Sequence, residues 1–241
     1  SRVVAQAERV PIHGGARPFA VRAMHDAYAQ DIEEGDIIMA NDPYWGGSHL
    51  PDVTLATPVF RDGKIRLWVA NRAHQGDIGG MSAGGYSPDA REIWHEGLRI
   101  PPVKLAEGGK IREDLLRLVC ENSRKPNDMR GDIMAQVASV SIGAQRLQEL
   151  FERYGAAQIE GCVEGILDAG EASMRKQIGR GKPGRYTGVS YIEDDGAGNR
   201  NVPIVAHLTL GKDSAEVDFT DCPDQVRSFM NSPLANTVAC T

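Results

Sequence analysis

The sequence predicts an α+β protein, and three features carry that prediction. Two apolar runs, residues 53–60 and 64–72, flank Asp62-Gly63, a tight-turn signal for a β-hairpin. Ile133, Val137, Val140, Ala144, Leu147, Phe151 and Tyr154 alternate steps of four and three, which places them on one helical stripe. From Pro183 onward the apolar period switches to two. The expected organisation is a mixed α/β region over residues 1–110 built around the hairpin, and a helical segment over 111–182. A C-terminal antiparallel β meander over 183–241 follows, incomplete at its end.

Taken in order, residues 2–11 read as a short strand running into a His13-Gly14-Gly15 turn. Pro18 then opens a helix to about Gln30, with Val21, Met24 and Tyr28 on a buried face and His25 on its surface. Residues 36–40 form a short apolar strand that delivers the chain to Asn41, and the hairpin follows. Residues 76–85 are too glycine-rich for a helix or strand and match neither the P-loop nor the dinucleotide fingerprint. They read either as a surface connection or as a substrate-covering loop. His95-Glu96 reads as an exposed helix end, and Pro101-Pro102 forces extended backbone. Helical periodicity covers residues 111–120, then the long stripe up to Gly155, then residues 159–178 through Val163, Ile166, Leu167 and Met174. The last two helices are expected to pack as an antiparallel pair with both stripes in the core. Strands are expected at 185–193, 202–210 and 215–220, and a loop at 229–234. Asp194-Asp195 belongs to a turn, since the spacing of a calcium loop is absent.

Composition narrows the classes. Of the 241 residues 41% are hydrophobic and 25% charged, as in an ordinary globular protein with a sizeable core. The net charge of −6, with acids and bases interspersed, argues against a nucleic-acid surface. No apolar stretch reaches the roughly 18 residues of a membrane span. Cys120, Cys162, Cys222 and Cys240 form no CxxC pair, so a reduced, cytoplasmic protein is expected. The chain opens at Ser1 in apparent mid-strand and stops at Thr241 without a terminator, so a fragment of something longer is expected.

The chemistry concentrates between Asn41 and Gly80. Two His-x-x-Asp units, His49/Asp52 and His74/Asp77, bracket the hairpin. If Asp62-Gly63 closes an antiparallel pair, residue 52 lies opposite roughly residue 73, and Asp52 meets His74 at the hairpin's open end. His49, on a Gly- and Pro-containing loop, can fold over the same end. Two imidazoles and a carboxylate would make a three-ligand site for zinc, manganese or iron, and so a metal-bearing hairpin. Such a metal lowers the pKa of a water or polarises a carbonyl. The plainer reading is that these side chains satisfy loop amides around a turn.

The same residues carry a resemblance. Asn41-Asp42-Pro43-Tyr44-x-Gly46-Gly47-Ser48-His49-Leu50-Pro51-Asp52 resembles a signature of the hydantoinase B/oxoprolinase family, as does Ala70-Asn71-Arg72-Ala73-His74-x-x-Asp77-Ile78-Gly79-Gly80. Glu96-Gly97-x-x-Ile100-Pro101-Pro102-x-Lys104-Leu105, Gly131-Asp132-Ile133-x-Ala135-Gln136, Arg146-Leu147-x-Glu149-Leu150 and Val217-Asp218-Phe219-Thr220 continue it in order along the chain. The resemblance implies a B-type subunit, or fused half, of an ATP-dependent hydantoinase, 5-oxoprolinase, lactamase or related ketone carboxylase. It implies an A-type partner that binds ATP and magnesium and phosphorylates a small cyclic-amide substrate. The B-type part then holds a divalent metal where the activated intermediate is hydrolysed or carboxylated. Carried over, the metal ligands fall on His49 and His74, with Asp52 the adjacent carboxylate. A further family aspartate belongs upstream of Ser1, and the three regions are parts of one larger B-type domain.

The chain departs from the family pattern in three places. Gln75-Gly76 stands where a second histidine is common, Ser82-Ala83-Gly84-Gly85-Tyr86 replaces a proline-bearing loop, and His95 replaces an acidic residue. These departures bear on substrate more than on metal. The leading expectation is a subunit of an ATP-dependent cyclic-amide hydrolase with metal on His49, Asp52 and His74, and with Asp77 or Glu96 moving protons. The alternatives are a ketone carboxylase subunit, and an inert fragment or assembly module with an incomplete site.

Overall fold

The structure is a computed structural model that describes residues 2–7 and 11–241. Its central element is a five-stranded antiparallel sheet in the order β3-β2-β1-β4-β5, formed by β1 (Ile37–Ala40), β2 (Asp52–Arg61), β3 (Lys64–His74), β4 (Val103–Glu107) and β5 (Lys110–Ile111). Helix α1 (Pro11–Tyr28) covers one face, while α2 (Glu113–Glu121) and α3 (Pro126–Tyr154) cover the other. The two-residue period of the strands sorts side chains between these layers. Ile38, Ala40 and Ala56 pack with Val21 and Met24 of α1. Ile37, Met39, Val53 and Leu55 pack with Leu116, Val119, Ile133, Val137 and Val140. A sheet covered on both sides buries β2 continuously from Asp52 through Val59, its threonines included.

The hairpin forms as expected, with one difference in register. Asp62 and Gly63 both have positive φ, 54° and 70°, as a two-residue turn with the right strand twist requires. A bulge at Val59/Phe60 then shifts the pairing by one, so Asp52 pairs with His74 rather than with residue 73. Gln136 of α3 locks the open end of the hairpin. Its Nε2 donates to the Val53 carbonyl and to Asn71 Oδ1, both at 3.0 Å, and Asn71 Nδ2 donates back to the Gln136 carbonyl at 2.8 Å.

Several expectations change. Residues 2–7 form no strand, and 8–10 lie outside the described residues. The α1 helix begins at Pro11, so His13-Gly14-Gly15 is helical and Pro18 lies inside it. These glycines provide close packing: a Cβ on Gly15 would come within 2.7 Å of the Ala239 Cβ on α5 (Leu234–Cys240), a helix the periodicity did not reveal. Ile111 belongs to β5, and α2 starts only at Glu113. Pro126 occupies the first turn of α3, where its missing N–H costs nothing.

Beyond Gly155, α4 (Ala156–Ile178) touches α3 and reaches the hairpin through an Arg66–Glu160 ion pair. Its stripe was expected in the core, yet no α4 residue is buried; Ile166 and Met174 face solvent. An amphipathic period records a face suited to burial without supplying its cover. The meander appears as β6 (Gly184–Asp194), β7 (Arg200–Leu210) and β8 (Ala215–Asp218). Asp195 fills its carboxylate with the amides of Ala197 and Asn199 and with the Asn199 side chain, as a turn residue does. No helix among the described residues is long and apolar enough to cross a membrane.

Candidate metal centre

The loop from Asn41 to Asp52 is held in place before it presents any chemistry. Asn41 is buried and donates through Nδ2 to the carbonyls of Leu50 and Leu98, while its Oδ1 accepts the Ile100 amide at 2.7 Å. Asp42 accepts the Tyr44 amide and a two-pronged contact from Arg99, whose guanidinium also lies near the exposed rings of Tyr44 and Trp94. Gly46 has φ 86°, and a Cβ there would sit 2.4 Å from the Phe19 backbone carbon of α1. Only glycine allows this loop and this helix to approach so closely.

The result is a three-donor cluster at the hairpin's open end. The Asp52 amide donates to the His49 carbonyl in a short turn, which brings His49 over the strand end. Asp52 Oδ1 is 3.3 Å from His49 Nε2 and 3.2 Å from His74 Nδ1, and the two imidazole nitrogens are 3.2 Å apart. Donors bound about 2.0–2.2 Å from one cation stand roughly 3.0–3.5 Å from each other, so this triangle fits a divalent ion. Nitrogen and carboxylate donors in a set of three suit zinc, manganese or iron and leave further positions open. The cluster is graded in exposure: the Asp52 side chain is 3% exposed and that of His74 is 42% exposed. It therefore has a fixed floor and an open side.

The other Asp52 oxygen is equally engaged. His13 Nε2 of α1 lies 3.1 Å from Oδ2, and the Ser48 hydroxyl donates to the same atom. Behind Ser48, buried Arg72 donates to the Ser48 and Thr54 hydroxyls and to the Gly46 carbonyl. Burial would push the Asp52 carboxyl up, but the hydrogen bonds from His49 and Ser48 and the charges of His49 and His13 outweigh it. Its carboxyl is held well below the usual range, so Asp52 stays a carboxylate. Burial lowers the Arg72 pKa to about 10 while the Asp52 charge raises it, which leaves the guanidinium protonated at neutral pH.

The structure brings together His49, Asp52 and His74, as the spacing predicted, and adds His13, Ser48 and Arg72, which it did not. A helix begun at Pro11 would have placed His13 and Arg17 on one face, four residues apart, and exposed that signal. Glu96 is half-buried; burial raises its pKa and the His49 charge pulls it back, so it lies within electrostatic reach of the cluster. Asp77 does not join the cluster. Arg124 Nη1 sits 2.8 Å from its Oδ1, and the Arg124 amide and Ser123 hydroxyl donate to its Oδ2. These contacts tie the loop after β3 to the α2–α3 junction. Gln75, in place of a second histidine, is buried and donates to Gln136 Oε1, so it joins the hairpin lock.

The Hydantoinase B/oxoprolinase family pattern matches residues 1–241. The chain belongs to the hydantoinase B/oxoprolinase family. It is 37% identical over 237 residues to the caprolactamase subunit beta of Pseudomonas jessenii, covering 98% of this chain and 41% of that subunit. The crystal structure of the ATP-dependent caprolactamase from that organism superposes with a TM-score of 0.93 over 98% of this chain and 41% of the matched chain. A 5-oxoprolinase of Pestalotiopsis fici is 31% identical over 250 residues, 98% of this chain and 19% of that protein. The acetophenone carboxylase delta subunit of Aromatoleum aromaticum is 29% identical over 224 residues, 92% of this chain and 33% of that subunit. The chain thus spans about two fifths or less of each of these relatives. The relatives of this chain thus include subunits of a caprolactamase and of an acetophenone carboxylase.

Proposed function

We propose that this chain is the metal-binding part of a B-type subunit in an ATP-dependent cyclic-amide hydrolase, acting on a hydantoin, 5-oxoproline or a related lactam. The observation that carries the reading is the convergence of His49, Asp52 and His74 at 3.2–3.3 Å on one open-sided cluster. These three residues would hold a divalent cation, zinc, manganese or iron. When bound, the metal supplies Lewis-acid polarisation and a water of lowered pKa. His13 and Ser48 hold Asp52 Oδ2, so Oδ1 is presented to the cluster in one orientation. Glu96, with its proton affinity raised by burial, takes up or gives back a proton at the reacting atoms. An A-type partner supplies ATP, magnesium and phosphorylation of the substrate, and the likeness to the caprolactamase beta subunit supports such a partner. Residues 1–110, 111–182 and 183–241 are read as sections of one larger B-type domain.

A second reading, carboxylation of a ketone, draws support from the likeness to the acetophenone carboxylase delta subunit, which is lower at 29% identity. The full-length protein co-expressed with an A-type subunit separates the two. ATP-dependent ring opening of hydantoin, 5-oxoproline or caprolactam is the expected result; ATP-dependent fixation of labelled bicarbonate onto a ketone, without ring opening, would favour the carboxylase. Neither activity would leave an assembly module as the reading.

A further inference from the structure

Tyr86 stands beside the cluster and has no part in the reading above. Its ring centroid is 5.4 Å from that of His49, yet the residue is 66% exposed. The exposed face of an aromatic ring can stack a second flat group. The backbone that carries it is built to come close. Gly84 and Gly85 both have positive φ, 79° and 71°, and a Cβ on Gly85 would lie 2.6 Å from Pro51 Cγ, beside Asp52. The Ser82 hydroxyl donates to the Tyr86 carbonyl at 2.8 Å and closes the loop on itself. The loop's amide at Met81 donates to the His95 carbonyl at 2.7 Å, next to Glu96. Tyr86 is thus anchored between the strand end that bears Asp52 and the turn that bears Glu96, with its ring left open.

We propose that Tyr86 is a substrate-contact and specificity-determining residue, forming a flat wall above His49 against which a planar ring stacks. The ligand class this selects is the small, planar cyclic amide, such as a hydantoin, over a puckered seven-membered lactam. A flat ring presents a whole face to the tyrosine, while a puckered ring touches it at a few atoms. The inference rests on the cyclic-amide reading given above.

The test uses the full-length protein with its A-type partner and compares wild type, Tyr86→Phe and Tyr86→Ala with hydantoin and caprolactam. Metal content is measured in each. The expected result is that Tyr86→Ala raises KM for hydantoin about ten-fold, the size of a lost ring contact, and lowers the hydantoin-to-caprolactam ratio of kcat/KM by a similar factor. Metal content stays at the wild-type value, and Tyr86→Phe restores the ratio. If wild type turns over cyclic amides and the ratio is the same in all three proteins, the inference falls while the functional reading stands. If Tyr86→Ala loses metal and kcat together, the ring serves to hold His49 and the inference is overturned. If wild type opens no cyclic amide at all, the functional reading falls first and takes the inference with it.

Discussion

Asp52 and His74 are directly paired across β2 and β3, and the bulge at Val59/Phe60 makes them so. Near the turn the partners are Arg61 with Lys64 and Phe60 with Ile65; beyond the bulge Val59 pairs with Leu67, and the offset persists to the open end. A regular ladder from the same turn would set Ala73 opposite Asp52. Because side chains alternate between faces, one residue of slip decides which of them shares the Asp52 face. The site geometry is therefore fixed by a bulge seven or eight residues away along the strands.

That pairing gives the first prediction. Purified with a divalent metal in excess and then desalted, the wild-type full-length protein should retain about one equivalent per chain. The double variant His49→Ala, His74→Ala should retain only background, because one carboxylate does not hold a transition metal against water. Equal metal content in the two proteins, measured by elemental analysis, would remove the ligand assignment.

The loop ahead of Asp52 can be tested through two glycines of similar φ. Gly63→Ala meets no atom within 4 Å and should cost only the left-handed backbone penalty, about 1–2 kcal/mol. Gly46→Ala adds a collision with the α1 backbone, so its cost should reach about 2–5 kcal/mol. Gly46→Ala should also weaken metal retention, since Ser48 and His49 lie two and three residues on. Denaturant midpoints measure the first effect and metal titration the second; equal costs for the two variants would contradict the close packing.

The sequence carried much of this because the relevant signals are local. Asp62-Gly63 announces its turn, and apolar alternation announces the strands it joins. Long-range packing is what local signals miss. Gly14-Gly15 looks like a turn until Ala239 of α5 is seen against it, and that misreading hid His13 from the site. His74/Asp77 has the same spacing as His49/Asp52, but spacing could not reveal Arg124, which claims Asp77 from 47 residues away. The stripe of α4 gave the right helix and the wrong environment, because a period of 3.6 describes one face and not its neighbour.

Asp77 yields a stability prediction with a definite sign. Burial would raise its pKa, but the hydrogen bonds and charge of Arg124 and the Gly79 amide outweigh it, so the folded value lies below the unfolded one of about 3.9. Its contribution is then fully present above about pH 4 and is lost as pH falls through the folded value. Asp77→Asn should cost about 1–3 kcal/mol at pH 7, and the gap to wild type should close in more acid solution. Urea unfolding at several pH values measures it; a gap that stays constant with pH would mean that the Arg124 contact adds no differential stability.

Glu96 carries the sharpest catalytic prediction, because its environment differs from that of Asp77 in kind. Asp77 is saturated by donors, whereas Glu96 is half-buried beside His49 with burial raising its pKa. A carboxyl whose pKa is raised by burial keeps its proton to higher pH than a solvent-exposed one. Glu96→Gln keeps the shape and removes the proton transfer. In the full-length protein with its A-type partner it should lower kcat for ring opening about a hundred-fold or more, with KM and metal content close to wild type. A loss of metal in the same variant would instead make Glu96 part of the binding cluster, and an unchanged kcat would leave proton transfer to a group other than Glu96.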